Sequence, residues 1–489
     1  MSAVSRSPWT FYGRRHELET LRDILRRRRW FFLKVSGRRR IGKTSLVHQA
    51  LQAEGRDRVL YLQVPDSDPA GVVSAARDFF ELFGVEVSPP TDLRTLAAAI
   101  GALVRRGFVV ALDEFQYFHR KVLYEFTSHL QYEVDQLARD AADVQGGLIV
   151  LGSIHTEMAA LLEERSAPLF ARVTDTLDVQ HLDIASVLEI IRVHAEPSAS
   201  RLLFLWNLFE GVPKFYRDAY EEGVIGADRG DLVRELFFSS SSPLRTEAEN
   251  WFLRELSGRY DLVLKYVARN PGCSNGEILA HARQVDAERE KQVGGYLQVL
   301  RDRYRMIEQR QPVFAKASAR NGRYYIADNF LRSWLAALAT PAASVHFRPL
   351  GELVGEADRR LADTEGYGLE KLVGALYEER SRKGLDGFRL TARIHGYWDR
   401  GDTELDLVAL NEEDRIVRVG TCKRAAERLA PDYARFDEHV ARFLGRHDAV
   451  SGWRIEKVAI TTRHTADSRR DAERAGYMHQ DIEELIKDL

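Results

Sequence analysis

The chain has 489 residues, 45% of them hydrophobic and 29% charged, with a formal net charge of −2, the make-up of a soluble globular protein with room for about three domains. That balance excludes a bulk basic field, so any nucleic-acid contact must come from a local patch. Two cysteines, Cys273 and Cys422, exclude a disulfide framework or a cysteine-rich zinc site. With no apolar signal core after Met1–Arg6 and no apolar run of membrane-spanning length, the expectation is a cytoplasmic protein with no membrane partner.

In chain order, the first expected helix runs from Glu17 to Arg29, with Leu18, Leu21, Ile24 and Leu25 at helical spacing. Its arginine run, Arg26–Arg29, suits the negative end of the helix dipole. Trp30–Val35 then reads as a buried strand and Ser45–Leu51 as a helix. Between them lies Gly37-Arg38-Arg39-Arg40-Ile41-Gly42-Lys43-Thr44, which fits G-x-x-x-x-G-K-[ST]. At average residue usage, roughly 500 positions yield about 0.02 such matches by chance. The glycines let successive N–H groups converge on a phosphate, and the following helix aims its positive end at it. Gly37 through Ser45 are therefore the expected ATP-binding residues, with Lys43 on the β- and γ-phosphates and Thr44 on Mg²⁺.

Further strands are expected at 59–64, 108–112 and 148–151, alternating with helices at 70–82 and 93–105. That order means a parallel sheet covered on both faces. The strand at 108–112 delivers Asp113-Glu114 to the rim of the sheet, Asp113 for the Mg²⁺ shell and Glu114 to polarise the attacking water. Ser153, after the strand at 148–151, is placed to touch the γ-phosphate or orient the water, and Arg172 to reach a phosphate in cis or from a neighbour or to serve as an ion-pair partner. A helical stretch from Ile184 to Glu210 is expected to form a lid, closed by Gly211-Val212-Pro213-Lys214, with Lys214 near phosphate.

Phe11-Tyr12-Gly13-Arg14 with Glu17-Leu18, the P-loop, Leu112-Asp113-Glu114-Phe115-Gln116, Leu151-Gly152-Ser153, Pro168-Leu169 with Arg172, and Gly211-Val212-Pro213 together resemble the archaeal-type AAA-like ATPases, relatives of the signal-transducing STAND NTPases. The resemblance covers roughly the first half of the chain. It implies ATP-dependent switching or hydrolysis, without one shared biological role.

Ser239–Pro243 reads as a linker. A helix at 251–268, a capping box at Ser274–Glu277 opening a helix to Ala282, a helix at 288–303 and extended pieces at 306–308 and 324–326 make a winged helix-turn-helix pattern. Lys291, Arg301, Arg303, Arg305 and Arg310 would meet phosphates, although Glu288 and Glu290 flank the helix start, so DNA binding and protein docking stand level. Tyr325–Trp334 resembles the segment that in this ATPase family leads into a C-terminal domain with a nuclease-like pattern, and Thr340–Ser344 reads as a boundary. Beyond it, Glu370 on a helix, Asp406 on a strand and Lys423 after the next strand look like the PD-(D/E)xK nuclease fold, in which two carboxylates hold a metal and the lysine stabilises the hydroxide or phosphate. Thr421 stands where an acid is expected. Glu404, on the same strand face as Asp406, is the substitute ligand.

The fold class is thus α/β. Its expected parts are a P-loop NTPase parallel sheet over 1–180, a helical lid over 181–240, a winged helix-turn-helix over 245–338 and an α/β nuclease-like domain over 345–489. The leading function is ATP binding and hydrolysis, with Mg²⁺, driving a conformational switch near DNA. The alternatives are an ATP-gated metal-dependent nuclease, degenerate at Thr421, and an ATP-dependent oligomeric scaffold. ATP is the expected ligand; DNA and further copies of the chain are left open as partners.

Overall fold

The computed structural model describes residues 7–55, 58–245, 247, 260–285, 290–316, 321–385, 387–399 and 401–489. The chain divides into two compact units: Gly13–Leu182 with Val212–Lys214, and the remainder of the described residues.

In the first unit the order is α1 (Arg15–Arg26), β1 (Phe31–Gly37), α2 (Lys43–Ala53), β2 (Val59–Gln63), α3 (Pro69–Leu82), α4 (Leu93–Arg105), β3 (Val109–Asp113), α5 (Glu125–Arg139), β4 (Gly147–Leu151), α6 (His155–Leu162) and β5 (Asp175–Val179). The sheet order is β2-β3-β4-β1-β5 with every neighbouring pair parallel. β3 and β4 are buried at every position, as strands covered by helices on both faces must be. Helix starts follow local chemistry: Asp68 accepts from Gly71 N ahead of Pro69, and Asp92 forms a capping box with Thr95. β5 is a strand that the hydrophobic pattern does not announce. Only Leu177 and Val179 are buried there, because it is an edge strand with one partner.

The second unit begins with α7 (Ile184–His194), α8 (Ala199–Phe209), α9 (Pro213–Glu221, whose first two residues lie in the first unit) and α10 (Arg229–Val233). The helical stretch expected from 184 to 210 consists of two helices. Pro197 cannot continue α7, and Ser198 caps α8 by accepting from Arg201 N. The serine run at 239–242 is not a free linker: Ser239 Oγ donates to Glu235 O at 3.0 Å, Ser242 Oγ donates to Leu236 O, and Leu244 is buried. Half of the helix expected over 251–268, residues 251–259, lies outside the described residues; its end is α11 (Asp261–Arg269).

Next come α12 (Asn275–Val285) and α13 (Val293–Gln298), the latter continuing as a wider helical turn to Arg303. The expected capping box is present, with Ser274 N donating to Glu277 Oε2 at 2.7 Å. Residues 286–289, the expected start of the third helix, lie outside the described residues. β6 (Cys273–Ser274), β7 (Ile307–Arg310) and β8 (Arg323–Ile326) form a three-stranded antiparallel sheet in the order β6-β8-β7, one strand more than the expected flap.

Thr340–Ser344 is not an extended linker either. Ala339–Ala342 is helical with Pro341 buried, and it leads to the 34-residue α14 (Leu350–Lys383). Beyond it, β9 (His395–Trp398), β10 (Glu404–Asn411), β11 (Ile416–Cys422), α15 (Tyr433–Arg446), β12 (Arg454–Thr461), α16 (Ala466–Arg474) and β13 (Met478–Asp481) build a mixed sheet of order β13-β12-β11-β10-β9. β9, β10 and β11 are antiparallel, whereas β11, β12 and β13 are parallel.

α14 belongs to two layers at once. Towards the lid, Asn207 Nδ2 donates to Thr364 Oγ1 at 2.9 Å, Lys371 pairs with Glu210 at 2.9 Å, and Glu379 accepts from Ile184 N at 2.7 Å. Towards the mixed sheet, Arg380 donates to Leu485 O at 2.6 Å and Tyr377 donates to Gln480. Gly368 permits this approach, since a Cβ there would lie 2.2 Å from Asn207 Oδ1.

Candidate functional site

The P-loop joins β1 to α2, and its conformation explains its glycines. Gly37 has φ 147° and a Cβ there would meet Val179 O at 2.5 Å; Gly42 has φ 90° and caps α2 in the left-handed region. Arg40 also has a positive φ, 67°. Arg14 braces the loop from outside: its guanidinium donates to Ile41 O at 3.0 Å and to Gln180 O at 2.5 Å, and pairs with Glu17 at 2.9 Å. The sequence quotes Gly13-Arg14 only as part of a pattern; this bracing role becomes visible with the backbone trace.

Lys43 is only 8% exposed. Its Nζ donates to Gly37 O at 3.0 Å and Arg38 O at 3.1 Å, the arc in which a phosphate would be cradled. Burial brings its pKa down to about 8, against the pull of Asp113 and Glu114.

β4 lies between β1 and β3, so the P-loop and Asp113 emerge one strand apart and Ser153 comes out between them. Thr44 Oγ1 donates to Asp113 Oδ2 at 2.8 Å, and Glu114 N donates to Asp113 Oδ1 at 2.8 Å. Thr44 and Asp113 are hard oxygen donors of the kind that Mg²⁺ takes. Asp113 Oδ2 also accepts from the Tyr61 hydroxyl, whose pKa is driven well up by burial and by the Asp113 charge. Glu114 accepts from Gln116 Nε2, and from Ser153 Oγ at 3.4 Å. Ser153 N in turn donates to Gln116 Oε1 at 3.3 Å. The expected residues Lys43, Thr44, Asp113, Glu114 and Ser153 are therefore brought together, with Tyr61 and Gln116 added. Arg172 is placed elsewhere: it holds Asp135 of α5 through bonds of 2.7 and 3.0 Å.

A second cluster lies under the mixed sheet. Asp406 Oδ2 accepts from Cys422 N at 2.9 Å and sits 3.7 Å from Lys423 Nζ. Lys423 is also 3.2 Å from Asp432, which accepts from Thr421 Oγ1 at 3.1 Å. Burial, with the neighbouring Asp406 and Glu404 charges, pushes the Glu370 carboxyl well up; burial likewise raises Asp406. Burial works against the Lys423 ammonium, but Asp406 and Asp432 hold its pKa up. The acid beside Thr421 is thus Asp432, which the sequence reading missed, and not Glu404. Glu404 is half exposed and paired with Arg323 of β8. Among the described residues, Glu370, Glu404, Asp406 and Asp432 do not bring three ligand atoms within 4.8 Å of one another.

The expected DNA-facing arginines are partly committed. Arg301 pairs with Asp302 at 2.6 Å and donates to Gln309 at 2.6 Å; Arg310 donates to Glu308 at 2.9 Å. The hairpin β7–β8 leans on the mixed sheet, with Val313 N donating to Gly396 O at 3.1 Å and Trp398 Nε1 donating to Asn321 O at 2.7 Å.

Residues 27–155 match the family model for an AAA domain. An uncharacterized protein of Methanocaldococcus jannaschii is 22% identical over 409 residues, 83% of this chain and 85% of its own length. Among solved structures, the Walker-type ATPase PABY2304 of Pyrococcus abyssi is 18% identical with a TM-score of 0.51, covering 66% of this chain and 96% of that one. The Aeropyrum pernix ORC2 protein, solved as ADPNP–ADP complexes, is 14% identical with a TM-score of 0.45, over 74% of this chain and 96% of that one. Among the described residues, no helix is long and apolar enough to cross a membrane.

Proposed function

We propose that this chain, whose residues 27–155 match the model for an AAA domain, is an AAA-like P-loop ATPase that binds and hydrolyses ATP with Mg²⁺ and uses the cycle as a conformational switch near DNA. One observation carries the reading: Lys43, Thr44, Asp113, Glu114 and Ser153 converge from the P-loop, β3 and β4. Phosphoryl transfer needs mainly positioning and charge neutralisation. In this reading Lys43 exchanges its loop carbonyls for phosphate oxygens. Thr44 and Asp113 would hold the cation, which would supply charge neutralisation on the phosphates. Glu114, steadied by Gln116 and Ser153, takes the proton of the attacking water. A base at Glu114 favours turnover over a silent scaffold. Arg172 reaches phosphate in this scheme only by leaving Asp135.

The switch reading draws support from α14, whose bonds to the lid helices and to the mixed sheet lie on one rigid element. The winged-helix module over 245–338 is the proposed DNA contact. For the C-terminal module over 345–489 we propose a nuclease-like domain that holds nucleic acid rather than cleaving it, since Lys423 already neutralises Asp406 and Asp432. Multiple-turnover ATP hydrolysis by the full chain, with and without duplex DNA, tests the proposal. The expected result is DNA-modulated turnover that Lys43→Ala abolishes; turnover indifferent to Lys43→Ala overturns the site.

A further inference from the structure

Asp113 Oδ2 carries two side-chain donors at once. One is Thr44 Oγ1, at 2.8 Å from the first turn of α2; the other is the Tyr61 hydroxyl from β2. β2 runs parallel to β3 with Tyr61 opposite Ala111 and Gln63 opposite Asp113, so Tyr61 reaches forward along the strand to the end of its neighbour. Its ring is fixed from the other side. His48, one helical turn after Thr44 and on the same face of α2, packs against it with ring centroids 4.4 Å apart at 30°. Thr44 and His48 thus hold the phenol between α2 and the Asp113 carboxylate.

The two donors have different prospects when nucleotide arrives. A threonine hydroxyl that turns its lone pair to a divalent cation gives up its old acceptor, whereas the Tyr61 hydroxyl, which also lies within reach of Thr44, keeps Asp113 as its acceptor with its ring packed on His48. We propose that Tyr61 is a positioning residue for the cation that accompanies the nucleotide: it keeps Asp113 in one rotamer after Thr44 has been recruited. The inference rests on the nucleotide-site reading above. A carboxylate that must meet a cation or its water within a few tenths of an ångström gains from a neutral donor that stays in place. Tyr61 touches neither phosphate nor reacting atoms and acts only through Asp113.

Tyr61→Phe removes one O–H and retains the ring that His48 packs on. The test titrates the fluorescent analogue mant-ATP into the full chain, first in EDTA and then across a Mg²⁺ series, for the parent, Tyr61→Phe and Asp113→Asn. In the expected result, the EDTA affinity of Tyr61→Phe stays with the parent and its thermal midpoint falls by no more than one lost hydrogen bond explains, while the gain in affinity on adding Mg²⁺ shrinks about five- to tenfold, the size of one net hydrogen bond. Half-saturation moves to higher Mg²⁺, and Asp113→Asn loses the gain altogether. A Mg²⁺ gain in Tyr61→Phe equal to the parent's overturns the inference. So does an equal loss of affinity in EDTA and in Mg²⁺, the mark of a merely structural tyrosine. Absence of mant-ATP binding by the parent in both conditions is a different outcome, and it overturns the nucleotide-site reading itself.

Discussion

Thr421 and Asp432 are joined by a 3.1 Å hydrogen bond between the end of β11 and the turn that opens α15. The neutral residue in the acid position therefore has an acid beside it, already bound to Lys423 at 3.2 Å. For the full chain with Mg²⁺ or Mn²⁺ we expect no robust phosphodiester cleavage. Thr421→Glu would set a second carboxylate against Asp432 in a site with no exposure of its own. Its thermal midpoint should fall without metal and recover when Mn²⁺ is added. Cleavage by the parent that disappears in Asp406→Ala would show that the lysine yields to a metal during turnover.

A pH dependence follows from Lys43, whose pKa lies at about 8. Its folded value lies below that of an unfolded lysine, so between about pH 8 and pH 10 the unfolded chain holds the extra proton and nucleotide-free stability rises with pH. Nucleotide affinity has the opposite sign. A bound triphosphate favours the ammonium, so binding above pH 8 takes up a proton and weakens towards about tenfold per pH unit. ATP dissociation constants at pH 7, 8 and 9 should show this, and Lys43→Arg, charged throughout, should flatten the profile.

Two substitutions separate binding from chemistry. Lys43→Ala should abolish tight ATP binding, because it removes the charge on the β- and γ-phosphates. Glu114→Gln keeps the bonds to Gln116 and Ser153 within reach and should bind ATP normally, yet hydrolyse it slower by roughly two orders of magnitude. Single-turnover kinetics beside equilibrium binding distinguish the two, and parent-like hydrolysis in both would remove the assignment.

DNA binding through the winged-helix module should be salt-sensitive. Each phosphate contact contributes about 0.9 to the slope of log affinity against log salt, so replacing Arg301, Arg303 and Arg305 together should lower that slope. Because Asp302 and Gln309 already hold Arg301, its share in a single variant should fall short of a full phosphate contact. A slope unmoved by the triple variant reassigns the module to protein docking.

The candidate nucleotide site was legible because its residues lie at or beside the ends of apolar strands or the starts of helices, and such ends carry local signals. Lys43, Asp113 and Ser153 needed only the strand order to meet. Arg14 and Tyr61 were not legible in the same way. Their partners, Ile41 O and Asp113, lie across folded distance, and nothing beside either residue in sequence announces the bond. Pro197 and Ser198 did mark the break in the lid helix, a signal that the apolar run around it masked. Asp432 follows Ala430-Pro431 in a short turn, where an acid looks like ordinary surface. Of α14, only the helix around Glu370 was expected from sequence, and Gly368 within it lets Asn207 approach.

Glu370 and Lys371 are neighbours on α14 with opposite duties. One faces the carboxylates under the mixed sheet, and the other is bonded to Glu210, to Asn329 Oδ1 at 3.1 Å and to Ala327 O at 3.3 Å. Glu210 itself sits at φ 52° and ψ −129°, immediately before Gly211-Val212-Pro213-Lys214. The C-terminal third is therefore tied to the lid helices through buried side chains, and the chain offers no clean place to cut there. Severing it before α14 would strip Glu210 of its Lys371 partner and the amide start of α7 of Glu379, although Glu210 would keep Asn329 N at 3.1 Å. Homologous proteins that lack this third would have to supply those partners from elsewhere in sequence, which makes positions 210 and 184–185 the places to look for compensating change.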